Sequence, residues 1–253
     1  MQFKNDVVLV CGGASGIGAE TARKLGKEGA RVVIGDINLE GAESVATEIT
    51  RAGAQAIALH YDQSDEASIN ELVMQSIDHF GHINGVFANA ADLSVIHQDA
   101  DVLSNGTEIW SRTLQVNLTG YALIIKATLP HLLSLGGGSI VCTSSAASVV
   151  GEDTRPAYAA SKAGVNALVR HVASRWGKQN IRCNAIAPGF VVTETIEKNF
   201  SAEELQKMLR YTRAARLGEC RDIAAMAALL LSSQGEWING QVLHVNGGVH
   251  YDN

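Results

Sequence analysis

Short apolar runs recur along this chain, each followed by a stretch whose apolar residues fall three and four positions apart. Residues 7–10, Val-Val-Leu-Val, open the series. A run this short and apolar at every position predicts a parallel strand buried on both faces. Residues 19–25 then carry helical spacing, and residues 31–35 predict a second strand. The alternation continues with a helix over 41–52, a strand over 56–61, a helix over 68–80 and a strand over 83–87. A long helical run covers 110–135, with irregularity expected near Asn117 and Pro130. A strand over 138–143, a helix over 158–176 and strands over 181–186 and 241–245 complete the pattern. Seven strands joined by helices specify an α/β fold: a doubly wound, mostly parallel seven-stranded sheet with helices on both faces.

Composition narrows the class. No Pro/Gly/Ser-rich linker interrupts the 253 residues and there are only three prolines, so 1–253 is expected to form one domain with a substantial core. With 20 basic against 26 acidic residues, the net charge of −6 implies no broad surface for nucleic acid. Cys11, Cys142, Cys183 and Cys220 are widely spaced and fit no zinc pattern, so no metal is expected. The first three lie in apolar strands, which predicts buried thiols in a reducing compartment. The amino terminus lacks the apolar core of a signal peptide, and no run is long enough to span a bilayer. A soluble, cytoplasmic protein without a membrane partner is the expectation.

Candidate chemistry clusters where strands end. The first strand runs into Cys11-Gly12-Gly13-Ala14-Ser15-Gly16-Ile17-Gly18 and then a helix, the context of a dinucleotide-binding loop. Glycines there let the backbone turn and approach a pyrophosphate at the helix amino end. No Gly-Lys-Ser/Thr follows, which excludes a Walker loop. The second strand ends at Asp36, followed by Ile37 and Asn38. A carboxylate at that place accepts ribose hydroxyls and repels a 2′-phosphate, which selects NAD over NADP; the competing role is a cap on the next helix. Asp62 and Gln63 follow the third strand, Asn89 and Ala90 the fourth, Ser144 and Ser145 the fifth, and Pro188-Gly189 the sixth. Ligands of such sheets lie beyond these strand ends. For Asp62 the alternative is a cap on the following helix, and for the serines a bond to turn amides. Tyr158 and Lys162 stand four apart in a predicted helix and share a face. An ammonium beside a phenol favours the phenolate and so suits it to proton transfer. By spacing alone, the pair is also what a helix edge shows by chance.

Taken in order, these motifs resemble the short-chain dehydrogenase/reductase family, in its compact single-domain branch with a Rossmann fold. The likeness covers nearly the whole chain. It rests on the glycine loop, Ala88-Asn89-Ala90-Ala91, Asn117 in Val-Asn-Leu-Thr-Gly, Ser145, Tyr158-xxx-Lys162 and Pro188-Gly189-Phe190-Val191-Val192-Thr193. Cys11, Ala88 and Ala91 depart from the family's usual Thr, Asn and Gly. None removes a proton-transfer group, although they bear on cofactor affinity.

The resemblance implies an NAD-dependent interconversion of a secondary alcohol and a ketone, with Asn117, Ser145, Tyr158 and Lys162 as catalytic residues. Tyr158 would take the hydroxyl proton, and Ser145 would hydrogen-bond the substrate oxygen. Lys162 would lower the Tyr158 pKa and bind the nicotinamide ribose, while Asn117 would hold a water linking Lys162 to solvent. Cofactor contacts are expected from Gly12, Ser15, Gly16, Ile17, Gly18, Asp36, Ile37, Asp62, Gln63, Asn89, Ala90, Tyr158, Lys162, Pro188, Gly189, Val191 and Thr193. A dinucleotide sensor without catalysis would need no serine–tyrosine pair. Residues 192–218 read as a small helical lid with Phe200, Leu205, Met208, Leu209 and Tyr211 as apolar contacts. The stretches 94–107 and 147–156 supply other walls, and Arg210, Arg213 and Arg216 form either an anion site or a solvated face. A homotetramer is implied by the resemblance, in line with closed symmetry in soluble oligomers.

Overall fold

Parallel strands buried on both faces must send successive side chains into two cores, and β1 (Val7–Cys11) does so. Val7, Leu9 and Cys11 face one core, and Val8 and Val10 the other. The structure is a computed structural model that describes residues 2–251. After β1 come β2 (Arg31–Asp36), β3 (Gln55–His60), β4 (Gly85–Ala88), β5 (Gly138–Thr143) and β6 (Ile181–Pro188). A short ladder of β7 (Val191–Val192) and β8 (Gly218–Glu219) stands apart from the sheet, and β9 (Val242–Val245) closes the series. Among the described residues, the main sheet has seven strands in the order β3-β2-β1-β4-β5-β6-β9, and every neighbouring pair is parallel. The order in which successive strands are added reverses between β1 and β4, where Cys11 pairs with Ala88. That switch point opens a crevice at the carboxyl ends.

Helices fill the connections. Helices α1 (Gly16–Lys27) and α2 (Leu39–Arg51) cover one face, and α3 (Glu66–Phe80) the other. Next come α4 (Thr107–Leu114), α5 (Gly120–Ser134) and α6 (Pro156–Trp176). Two short helices, α7 (Glu194–Asn199) and α8 (Ala202–Tyr211), lie beyond β6, and α9 (Cys220–Leu231) returns to the face of α1. Local chemistry sets several boundaries. Asn38 caps α2, Asp65 caps α3 through the amides of Ala67 and Ser68, and Gly81 ends α3 at φ 86°.

The helical run over 110–135 shows one of its two expected irregularities. A π-helical turn, Gln115–Thr119, separates α4 from α5 around Asn117. Pro130 lies inside α5 without ending it. Pro130 and Lys126 are both exposed, so water can reach the carbonyl that the proline leaves without a helical donor. Cys11, Cys142 and Cys183 are buried as expected, and Cys220 is half-buried. No helix among the described residues is long and apolar enough to cross a membrane.

Candidate active site

The glycine loop is drawn tight by the backbone. Gly12 N and Gly13 N both donate to Gly35 O, at 2.7 and 3.3 Å. Gly12 sits at φ 78°, and a Cβ added to it would lie 2.6 Å from Ala90 Cα. A Cβ on Gly18 would lie 1.9 Å from the Gly12 carbonyl oxygen. The start of α1 therefore rests directly on the loop. Ser15, its N-cap residue, makes no side-chain cap bond, and the first turn carries no acidic residue. The first-turn amides thus meet no capping side chain or carboxylate, which suits an anion such as a pyrophosphate.

Asp36 stands beside this loop. Its Oδ2 accepts from Ala14 N and its Oδ1 from Asn38 N, both at 2.9 Å. The cap on α2 is Asn38, so the competing role for Asp36 does not apply. Ile37 projects outward, 65% exposed. Asp62 does not cap α3 either: its Oδ1 accepts from Ser64 N and Ser64 Oγ, at 2.8 and 2.7 Å. Chiefly through the Ser64 hydroxyl, its carboxyl is held below the usual range. Gln63 is buried, and its side chain is fully engaged inside the protein. It donates to Ala90 O and Val116 O and accepts from the Tyr61 hydroxyl. Asn89 ties three strands together, donating to Gly12 O and accepting from Thr143 Oγ1. Ala90 lies beneath Gly12. A cradle of glycines with a carboxylate at the β2 end fits a dinucleotide with free ribose hydroxyls.

The candidate proton-transfer groups lie near the end of β5. Ser145 accepts from Ala147 N at 3.2 Å and lies near enough to the Tyr158 phenol to favour its ionised form. Its neighbour Ser144 is turned away, donating to Asn166 Oδ1 at 2.6 Å. Burial raises the Tyr158 pKa; the neighbouring Ser145 hydroxyl and the Arg155 charge oppose that rise. Lys162 is only 1% exposed and points elsewhere than the phenol oxygen. Its Nζ donates to Thr143 O at 2.8 Å and to the Tyr121 hydroxyl at 3.3 Å. Burial pushes its pKa down to about 8. The expected lowering of the Tyr158 pKa by Lys162 is therefore not what this geometry shows. Both side chains share a helix face, but the amine turns into the β5 edge, where a carbonyl is available, and stays 5.9 Å from the Tyr158 ring centre.

Asn117 is fully buried in the π-helical turn, and both ends of its carboxamide hold the main chain of Asp92. Its side chain is thus an anchor for the segment after β4 rather than a group facing Lys162. Beyond β6, Gly189 packs against Asn246, where an added Cβ would lie 2.7 Å from its carbonyl oxygen. Pro188 is buried and Val191 half-buried, and Thr193 caps α7. Thr193 faces the glycine loop, since a Cβ on Gly16 would lie 3.3 Å from Thr193 Cγ2. The Pro-Gly segment and the dinucleotide loop are thereby brought together. Phe200 packs edge-on against Phe190, with ring centres 5.6 Å apart. Leu205, Met208 and Leu209 are half-buried, and Tyr211 is 61% exposed. Arg216 is forked onto Asp222 at 2.7 and 2.8 Å, which removes it from any anion site. Two groups were not anticipated from the sequence: Tyr121, whose hydroxyl receives Lys162, and Asp99, which binds the first turn of α6.

Comparisons with known proteins agree with this layout. A family model described as enoyl-(acyl carrier protein) reductase matches residues 12–250. A probable short-chain type dehydrogenase/reductase of Bradyrhizobium diazoefficiens is 36% identical over 248 residues, spanning 98% of this chain and 88% of the relative. The cis-4-hydroxycyclohexanecarboxylate dehydrogenase of Sinomonas cyclohexanicum is 36% identical over 246 residues, 97% of each chain. Among solved structures, a 7α-hydroxysteroid dehydrogenase complexed with NADH and 7-oxo glycochenodeoxycholic acid superposes with a TM-score of 0.91. It is 32% identical and is matched over 98% of this chain and 95% of its own.

Proposed function

This chain belongs to the short-chain dehydrogenase/reductase family, and we propose that it is an NAD-dependent oxidoreductase interconverting a hydrophobic secondary alcohol and its ketone. The observation that carries the reading is the buried Tyr158 phenol, eased toward ionisation by the neighbouring Ser145 hydroxyl, at the strand ends that also hold the glycine cradle. NAD, when bound, supplies the hydride acceptor. Gly12, Ser15, Gly16, Ile17 and Gly18 would hold its pyrophosphate, and Asp36 its adenosine ribose, with Ile37, Asp62, Asn89 and Ala90 around the adenine side. Gln63 contributes backbone only, its side chain being bound internally. Pro188, Gly189, Val191 and Thr193 would line the nicotinamide side.

In alcohol oxidation Tyr158, as the phenolate, takes the substrate hydroxyl proton, and in ketone reduction the phenol returns it to the substrate oxygen. The Ser145 hydroxyl donates to the substrate oxygen and steadies its changing charge. Lys162, held by Thr143 O and Tyr121, is assigned the nicotinamide ribose hydroxyls. Asn117 acts by fixing the segment after β4. The solved relative contains NADH, and both dehydrogenases above are named for hydroxyls carried on rings, which favours a cyclic alcohol. To the same reading belong a mouth closed by 192–218 and a cytoplasmic location, both read from the residues, and a homotetramer, carried by the resemblance.

The test is a panel of cyclic and open-chain secondary alcohols and ketones assayed with NAD and NADP, alongside Tyr158→Phe. Turnover with NAD in preference to NADP is expected, and the variant is expected to lose about 10²–10⁴-fold in kcat with NADH affinity retained. Near-wild-type turnover by Y158F would remove Tyr158 from the chemistry, and tighter binding of NADPH would overturn the cofactor assignment.

A further inference from the structure

Helix α6 begins in a way that its own sequence does not provide for. Its N-cap residue, Arg155, has φ 64° and makes no side-chain cap bond, and Pro156 behind it has no N–H to offer. The next two amides leave the helix for a distant carboxylate. Ala157 N donates to Asp99 Oδ1 at 3.3 Å, and Tyr158 N donates to Asp99 Oδ2 at 2.8 Å. Arg155 N donates to the Asp99 carbonyl at 2.8 Å, and Ala159 N returns to Arg155 O at 3.0 Å. Every donor of the first turn is thus accounted for, two of them by one side chain.

Asp99 lies in the segment between β4 and α4 and is only 2% exposed. A buried carboxylate is costly unless its oxygens are satisfied. Here they are, by the two helix amides and by the Asn105 side-chain amide, which also donates to Oδ1. The positive end of α6 further favours the charge. The segment is itself stiffened: Asn105 Oδ1 accepts from Ala100 N at 2.8 Å, and Asn105 N donates to Asp101 O at 3.0 Å. At its upstream end, Asp92 is fixed by Asn117. The carboxylate therefore meets α6 from a braced loop.

We propose that Asp99 is a positioning residue for Tyr158: it caps α6 from outside the helix and so fixes where the phenol stands relative to Ser145. The inference rests on the reading that Tyr158 moves the proton. Tyr158 is the third residue of the helix, so a shift or fraying of the first turn moves its ring directly. A carboxylate suits the task because both its oxygens accept. A carboxamide offers one acceptor and turns an NH₂ against a helix amide or Asn105.

The test is Asp99→Asn, alone and combined with Tyr158→Phe, assayed with the panel alcohol that the wild-type enzyme oxidises fastest. D99N is expected to lower kcat tenfold or more while KM and the NADH dissociation constant stay within twofold. In the Y158F background the same change is expected to alter the residual rate by less than twofold, because it acts through the missing hydroxyl. Hydrogen exchange of a peptide covering 156–160 is expected to accelerate tenfold or more in D99N, with the rest of α6 unchanged. Wild-type kcat in D99N, losses that multiply in the double variant, or unchanged exchange would each overturn the proposal. Should D99N fail to fold, Asn105→Ala is expected to reproduce the pattern at smaller amplitude, and its absence there would also overturn it. Full turnover by Y158F would remove the reading beneath the proposal, whereas the exchange result judges the cap by itself.

Discussion

Helices α1 and α6 both begin at the carboxyl edge of the sheet, yet their first turns are finished in opposite ways. At α1 the N-cap Ser15 makes no cap bond, no acid lies in the first turn, and the loop is pulled back on glycines. At α6 a proline removes one donor and Asp99 takes the next two. The difference assigns the two ends different tasks. Amides without a capping side chain suit an anionic ligand that comes and goes. Amides closed by a buried carboxylate suit a side chain that must keep one position. On the proposed reading, the same backbone groups serve binding at one helix and positioning at the other.

Breaking the α1 end should have the largest effect. In Gly18→Ala the new methyl would sit 1.9 Å from the Gly12 carbonyl oxygen, a backbone atom that cannot swing aside. The loop must open, and NADH affinity is expected to fall about 100-fold or more, near 2.7 kcal/mol. Gly164→Ala in α6 is the matching control. There the nearest atom is the flexible Leu118 Cδ2, at 2.7 Å, which can yield. G164A is expected to bind NADH within a few-fold of wild type by fluorescence titration; equal losses in the two variants would erase the contrast between the helices.

A charge nearly two turns into α6 sharpens the comparison next. Lys24, near the end of α1, is partly exposed and pairs with Glu28 at 2.6 Å. Lys162 is buried, with a pKa pushed down from 10.5 to about 8. Below about pH 8 the lysine is charged in both folded and unfolded chains, and the burial penalty is fully present. Between about 8 and 10.5 the unfolded chain holds the proton that the folded one has released, so stability rises with pH across that window. Relative to Lys162→Met, the wild-type protein is expected to gain roughly 3 kcal/mol across it, from a shift of about 1.4 kcal/mol per pKa unit. Urea unfolding of both proteins at several pH values checks this. A stability difference independent of pH would mean that the amine titrates normally.

The two helix starts also differ in how much of them the sequence discloses. The α1 end is local: strand, glycines and helix follow one another within 7–25, and sterics between near neighbours require those glycines. Asp36 follows one strand later at a fixed place. The seven-stranded sheet was likewise legible, because strands buried on both faces must be apolar throughout. Tyr158 and Lys162 were legible as a pair, but not the direction of the amine. Spacing places two side chains on one face without saying which acceptor wins, and Thr143 O and Tyr121 come from other segments. Asp99 had no local signal at all. It is one acid in a polar stretch, and its partners lie 58 and 59 positions away. Gln63 was expected at the cofactor, yet its side chain serves Ala90 O and Val116 O; such contacts depend on tertiary distance alone.

The smallest expected effect separates capping from cofactor choice at α2, which begins between the two cases. Asn38 Oδ1 accepts from Gly41 N at 3.1 Å, an ordinary self-supplied cap, while the Asn38 backbone N–H donates to Asp36 Oδ1. In Asn38→Ala the side-chain cap is lost and the backbone bond to Asp36 remains. Loss of such a cap costs about 1 kcal/mol. For a chain of this size that corresponds to a fall of about 2–4 °C in Tm. The ratio of NADH to NADPH affinity should not move, because Asp36 keeps both of its amide donors. Asp36→Ala should do the reverse, leaving the α2 cap in place and narrowing that ratio by about tenfold or more, since the carboxylate that repels a 2′-phosphate is gone. Thermal melts and paired cofactor titrations of the two variants read both quantities. If N38A shifts the cofactor ratio as D36A does, the cap and the carboxylate act as one unit, and an exposed helix start cannot be treated separately from the ligand beside it.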